Sequence, residues 1–413
     1  MRYPARSSAR TIRLYPWVQF TQNLMFWQAV WFLFFQQSLS ASDAILLYVS
    51  YELAVTLLEV PSGYMSDRLG RRMTLLCSAL ASFAGLVLVA FGSGFALFAA
   101  GQALIGAGRA FASGTDSALL FESLAAEGRS DEIETHELRA WRAGFAALAL
   151  SALTGGVMAG WQMALPFWTS ALSMVVSGAL ILGCAEPSRH LHPADETQIR
   201  LSALKAALLH PTLIWLFAIS VLMYVYSHIP FIFGQPFVLS ALAGIGLAAQ
   251  APVISGAVSA VMMGLSLIAS AFAPGIRRRI GLRPTILLGF AIQIALAGML
   301  ALTNSVLAIA FLFLRMVPDA LSRPFIMAQV QPLLRDASRA TYLSVQSLVA
   351  RVAFSVSLWM AAGSANNAGR MAYAEMRVVL GWYVLAGLLA MVLLIVTAHK
   401  GAQQDAQRAR DLP

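Results

Sequence analysis

The chain has 413 residues, 59% of them hydrophobic and only 11% charged. A water-soluble domain of this length carries about 25% charged residues, so water cannot be the only solvent for this surface. The net charge of +9 would suit a nucleic-acid binder. Here, however, the basic residues sit in short clusters between long apolar runs, which is the pattern of membrane loops.

At about 20 apolar residues per span, the sequence gives twelve runs: 16–37, 43–64, 73–92, 95–120, 140–160, 165–184, 211–234, 251–273, 284–302, 305–331, 341–363 and 377–398. Lipid offers the backbone no hydrogen-bond partners, so each run is expected to be helical. β-Barrel strands would alternate in polarity over about ten residues, which these runs do not. The expected fold is all-α, a polytopic membrane protein with twelve transmembrane helices.

Four arginines (Arg2, Arg6, Arg10 and Arg13) precede the first run, and no small-residue cleavage site follows a short core. The first run therefore reads as a retained span. It is rich in amides and tryptophans. Gln22 and Asn23 cluster with Gln19 on one side, and Trp27 and Trp31 recur at helical spacing. Such a face suits either interhelical hydrogen bonds or a polar cavity.

The second run carries Glu52 and Glu59, seven residues apart on one helix face. Between the second and third runs lies Gly63-Tyr-Met-Ser-Asp67-Arg68-Leu-Gly70-Arg71-Arg72. Gly63 would let helices approach closely. Asp67 stands among arginines near the start of the third run, where a carboxylate is favoured by the helix N-terminus. The fourth run holds Arg109 and Asp116, again seven apart. Cys77 and Cys184 lie inside apolar runs and read as small hydrophobes.

The polar stretch 185–210 divides the runs six and six, giving an N-terminal bundle (1–184), a linker (185–210), a C-terminal bundle (211–400) and a frayed polar tail (401–413). The seventh run reads Tyr224-Val-Tyr226-Ser-His228-Ile-Pro230, with Pro236 beyond. The two prolines are expected to break it towards its outer end, and His228 is a titratable group beside Tyr226. Between the eighth and ninth runs, Pro274-Gly-Ile-Arg-Arg278-Arg279-Ile-Gly281-Leu-Arg283 repeats the Arg-hydrophobe-Gly pattern of 68–70 in register. Two pseudo-symmetric six-helix bundles are therefore expected, with a site between them near the midplane.

In the tenth run Arg315, Asp319 and Arg323 are spaced i, i+4, i+8, so Asp319 could pair with either arginine. The eleventh run holds Arg351. Ionisable groups at membrane depth are costly and are functional candidates by default. Arg109, Arg315 and Arg351 balance Glu52, Asp116 and Asp319, so full structural pairing is one reading. The other leaves one acid to carry a proton. Glu52 is favoured for that role because no basic residue lies on its own helix. With the N-terminus inside, nearly all basic clusters fall on the inner side, and only Arg370 and Arg377 fall outside. Both termini are then cytoplasmic.

The segment Gly63–Arg72 resembles the signature loop of the major facilitator superfamily, Gly-x-Leu-Ala-Asp-Arg-x-Gly-Arg-Arg, with Met65 and Ser66 as substitutions. The preceding Leu58-Glu59-Val60-Pro61-Ser62 is similar to a lead-in common in bacterial members. The resemblance implies a secondary transporter of a bacterial inner membrane working by alternating access. It also implies a conformational latch at Gly63, Asp67, Arg68, Gly70, Arg71 and Arg72, which holds one half onto the other. Two departures from the family's antiporters stand out. Ala147–Gly156 lacks the Gly-Pro pair expected in span five, and Arg109 precedes Gly114 by five residues instead of four.

On this reading the partners are a small organic substrate, protons and the bilayer, with no nucleic acid and a monomeric state. The proton-coupling candidates are Glu52, Asp116 and Asp319. The substrate-cavity candidates are Gln22, Asn23, Trp27, Arg109, Tyr226, His228, Arg315 and Arg351. Export of a drug or metabolite is the leading expectation, metabolite uptake or uniport the alternative, and a non-transporting receptor or scaffold the rival of another class. No phosphate-cradling loop, nucleophile elbow or metal-binding pair occurs, so no enzyme activity, cofactor or metal is expected.

Overall fold

Long apolar runs in lipid must satisfy their own backbone groups, and they do so here as helices. The computed structural model describes residues 5–186, 210–334, 336–363 and 371–410, and these hold helices and turns with no strand. In chain order the α-helices are α1 (Ala5–Gln22), α2 (Trp31–Phe35), α3 (Ala41–Leu69), α4 (Arg71–Phe91), α5 (Phe95–Ala112), α6 (Thr115–Ala126), α7 (Ile133–Trp161), α8 (Leu165–Leu182), α9 (Pro211–Ala243), α10 (Ala251–Ile280), α11 (Leu282–Leu302), α12 (Ile309–Leu312), α13 (Val317–Leu333), α14 (Asp336–Gly363) and α15 (Tyr373–Arg410).

Ten segments among the described residues are long and apolar enough to cross a membrane. The first and tenth expected runs are instead segmented. Run 16–37 is interrupted after α1 at Asn23–Met25, and run 305–331 turns at Phe313–Met316 between α12 and α13. The fourth run also breaks, at Ser113–Gly114, where Gly114 takes a left-handed φ of 74°. The seventh run differs the other way, because α9 continues through both Pro230 and Pro236. Each proline removes one backbone donor, and packing tolerates the loss without ending the helix. The last helix, α15, extends into the expected tail as far as Arg410. Most of the expected linker, 187–209, lies outside the described residues.

Contacts divide the chain into two units. The first comprises Met1–His192 with Leu247–Ala260 and Leu358–Arg370. The second comprises Pro193–Gly246, Val261–Ser357 and Met371–Pro413. Within the first, small residues bring backbones together, as helix packing without a hydrophobic drive requires. A Cβ on Gly106 would meet the Tyr51 carbonyl, and one on Gly155 would meet that of Phe26. Gly156 packs on Pro252 and Gly256, at the start of α10. By contrast, Gly63 and Gly160 face open space, so neither serves a close helix approach. In the second unit the core is aromatic, with Phe233, Phe237, Phe290 and Phe354 fully buried.

Candidate functional site

The signature loop folds as a one-residue junction between α3 and α4. Gly70 joins them with φ 107° and ψ 158°, a conformation in which an L side chain is strained. Asp67 does not stand at the start of α4. It lies in the last turn of α3, because that helix continues to Leu69. There Asp67 accepts from Arg71 at 2.6 Å. Arg71 also reaches Glu122 at 2.9 Å and donates to Ser66 at 2.7 Å. One guanidinium thus ties α3, α4 and α6 together. The Asp67 half of this network is largely exposed, so it contributes at most about 1 kcal/mol.

The start of α4 is held by Glu186, a residue the sequence reading passed over. Its carboxylate accepts the backbone N–H groups of Arg71 at 2.7 Å and Arg72 at 3.0 Å. These are donors that a helix start leaves unpaired, and a carboxylate there also meets the positive end of the helix dipole. A Cβ at Gly70 would overlap that carboxylate. Arg72 donates to the Leu182 carbonyl of α8 at 2.9 Å.

The repeat read at 274–283 has the same local build. Gly281 joins α10 and α11 with φ 88° and ψ 171°. Thr74 and Thr285, each four residues after the glycine, donate through Oγ1 to its carbonyl at 2.9 and 2.6 Å. Arg283 matches Arg72 and donates to the Ala398 carbonyl of α15 at 2.6 Å. The acidic network is confined to the first copy, since Arg278 and Leu282 stand where Asp67 and Arg71 would be.

In the first unit the candidate polar groups gather at the breaks in the first and fourth runs. Asp116, in the first turn of α6, accepts from Gln19 at 2.7 Å, and Gln19 also contacts the Tyr15 hydroxyl. Asn23 donates to the Gln19 carbonyl at 2.7 Å and sits against Gly144. The Gln22 amide nitrogen is buried with no partner among the described residues. Trp27 is buried and stacks on Phe167, a packing role. Arg109 is exposed, and its side chain makes no hydrogen bond or ion pair among the described residues. The break at Ser113–Gly114 separates it from Asp116, so the two do not pair. Glu52 is fully buried in α3 and has a partner there.

In the second unit α9, α14 and the 313–316 turn bring arginines and aromatics together. Arg351 donates to the Tyr224 hydroxyl at 3.2 Å and lies 5.7 Å from that ring. The His228 ring lies 4.3 Å from Tyr224 and 5.0 Å from Phe354, with Nδ1 2.7 Å from the Tyr224 carbonyl. Arg315 donates to the Ser227 carbonyl at 3.3 Å and lies 4.8 Å over Phe231. It does not pair with Asp319, because the turn removes the helical i, i+4 geometry. Asp319 instead opens α13 and makes no ion pair within 4 Å among the described residues.

Tyr226 belongs to a different face. It donates to the Tyr383 carbonyl and packs on Phe290. Two residues along a helix is a rotation of about 200°, so Tyr224 and Tyr226 cannot share a site. No cluster of three or more metal-ligating side chains occurs among the described residues.

A family model described as Major Facilitator Superfamily matches residues 17–358. Among curated proteins no match is found. Three solved structures show the likeness of fold. A mutant of the peptide transporter POT has a TM-score of 0.74 at 12% identity, covering 98% of this chain and 99% of that one. A mutant of the nucleoside transporter NupG has a TM-score of 0.74 at 14% identity, covering 94% and 98%. A D-xylose–proton symporter has a TM-score of 0.66 at 17% identity, covering 93% and 96%.

Proposed function

The chain belongs to the major facilitator superfamily, a multi-pass secondary transporter and not an enzyme, and from that premise we propose that it moves a small organic anion by alternating access. The observation that carries the substrate class is the second-unit cluster. Arg351, Tyr224, His228 and Phe354 form one patch, and Phe231, one to two turns further along α9, carries Arg315 of the 313–316 turn over its ring. Cations set against aromatic faces at membrane depth suit a flat molecule that carries a carboxylate or a similar group. In the first unit Arg109 is exposed, and its side chain makes no hydrogen bond or ion pair among the described residues. A guanidinium in that condition within a span is stable only beside water, which makes it a cavity group.

Asp319 is the proton-coupling candidate with most support, since it lies between Arg315 and Arg323 without an ion pair to either. Glu52 and Asp116 remain candidates behind it. The loop 63–72 serves as the latch, built on Arg71 and held by Glu186 and Glu122. The protein sits in a bacterial inner membrane with both termini cytoplasmic and works as a monomer. Proton-driven export is the leading direction. The missing Gly-Pro pair in span five and the symporter among the structural neighbours support uptake as the second reading.

A thermal-shift screen of the purified protein against organic anions, cations and neutral metabolites tests the substrate class. A ligand stabilises by about 2.7 kcal/mol when present at 100 times its dissociation constant. Anions should raise the midpoint of the wild type and lose that effect in Arg351→Gln. Hits confined to cations would overturn the reading.

A further inference from the structure

On the expected topology Arg377 is an exception to the charge asymmetry of the loops, because it falls on the side assigned almost no other basic residue. It lies one turn into α15, is exposed, and makes no hydrogen bond or ion pair among the described residues. It borders a groove of about 830 Å³ between α11 and α15, a size in the usual range of about 300–1,000 Å³ for ligand sites.

The groove exists because side chains are missing. Gly298 and Ala301 of α11 and Gly381 of α15 form its floor, and nothing lies within 4 Å of where a Cβ on Gly381 would sit. Its walls are apolar, with Val384 and Leu385 at the deep end and Trp382 exposed at the side. The Tyr373 hydroxyl is already committed to the Ala301 carbonyl at 3.0 Å. From Tyr373 to Leu385 the helix rises about 18 Å. That is roughly half of a ~30 Å hydrocarbon core, or the depth of one leaflet.

The charge that lines the groove is at the shallow end. Arg377 is the one charged side chain among its lining residues, Glu375 of the same turn not being one of them, and the first residues of α15, Tyr373 and Ala374, supply the positive end of a long helix dipole. Everything deeper is neutral and apolar. The complement is an amphiphile with an anionic head and an alkyl tail one leaflet long.

We propose that this groove is a binding site for an anionic phospholipid, with the phosphate on Arg377 and the start of α15 and one acyl chain along Gly298, Ala301 and Gly381. The site is separate from the arginine–aromatic cluster and depends only on the chain's being a membrane protein.

The test titrates detergent-purified protein with phosphatidylglycerol, phosphatidylcholine or inorganic phosphate and follows the thermal midpoint. Phosphatidylglycerol should raise the wild-type midpoint more than phosphatidylcholine does, and inorganic phosphate should have no effect. Gly381→Leu fills open space with a better helix former. It should keep the lipid-free midpoint and lose the extra phosphatidylglycerol shift. Arg377→Gln alters an exposed residue that makes no hydrogen bond or ion pair among the described residues, and should weaken phosphatidylglycerol binding about fivefold, the equivalent of ~1 kcal/mol per basic residue near a membrane surface. Equal shifts with the two lipids, an undiminished shift in Gly381→Leu, or the same shift from inorganic phosphate alone would each overturn the proposal.

Discussion

Replacing Glu186 by alanine should loosen the start of α4, and the structure fixes how much. The carboxylate accepts two backbone donors of the helix end, at 2.7 and 3.0 Å. Losing a side-chain cap costs about 0.5–2 kcal/mol. Losing a negative charge at a helix start costs about 0.3–1 kcal/mol more. The sum, roughly 1–3 kcal/mol, corresponds to a 5- to 150-fold increase in local opening, since each 1.4 kcal/mol is about tenfold. Glu186→Gln keeps an acceptor oxygen but loses the charge and should fall near the lower end. Hydrogen exchange read by mass spectrometry over a peptide spanning 70–76 reports this opening directly, because the protected amides belong to Arg71 and Arg72. Unchanged exchange in Glu186→Ala, with Arg71→Ala also silent, would refute the account of the junction.

Gly70→Ala should be worse than the cap deletion, since it adds strain at φ 107° and displaces the Glu186 carboxylate; a thermal midpoint equal to that of wild type would contradict this. Gly256→Val places a side chain into the Ala152 carbonyl of α7 and should cost about 1–3 kcal/mol by overpacking. Unfolding rates in detergent check it, and a neutral result would mean the two helices separate without cost. Asp319→Asn should leave substrate exchange at equal pH intact and abolish acceleration by a pH gradient, measured in proteoliposomes. Full retention of the acceleration would move the coupling role to Glu52 or Asp116. Arg351→Gln removes a charge-assisted contact of about 1.5–3 kcal/mol and should weaken anion binding about 10- to 150-fold by calorimetry.

Much of the fold was legible because lipid imposes one rule on every span, namely that apolar runs become helices. The internal repeat was legible too, since Gly70 and Gly281 mark the same turn and Arg72 and Arg283 make the same bond to the last helix of their halves. The breaks were not. Asn23–Met25, Ser113–Gly114 and Phe313–Met316 lie inside hydrophobic stretches where composition does not distinguish a turn from a helix. The pairing of Asp319 with Arg315 that the spacing allowed depends on an unbroken helix, which the last of these turns removes.

Phase was the second loss. Tyr224 and Tyr226 look alike in a string, and only the position of Phe290 and Tyr383 on one side and Arg351 on the other separates them. Glu186 was invisible for a different reason. Its partners are 114 and 115 residues away, so no local spacing announces it. A charged residue immediately after the last turn of span six is the only hint the sequence offered. Arg71, by contrast, was found through its motif, although its bond to Glu122 was not.

Transport itself is tested most directly by reconstituting the protein with a ligand identified in the thermal screen and following labelled ligand across a sealed vesicle. The account predicts saturable flux that responds to a pH gradient and fails in Arg351→Gln. Tight binding with no flux in either direction would contradict it and favour a receptor built on the same helices.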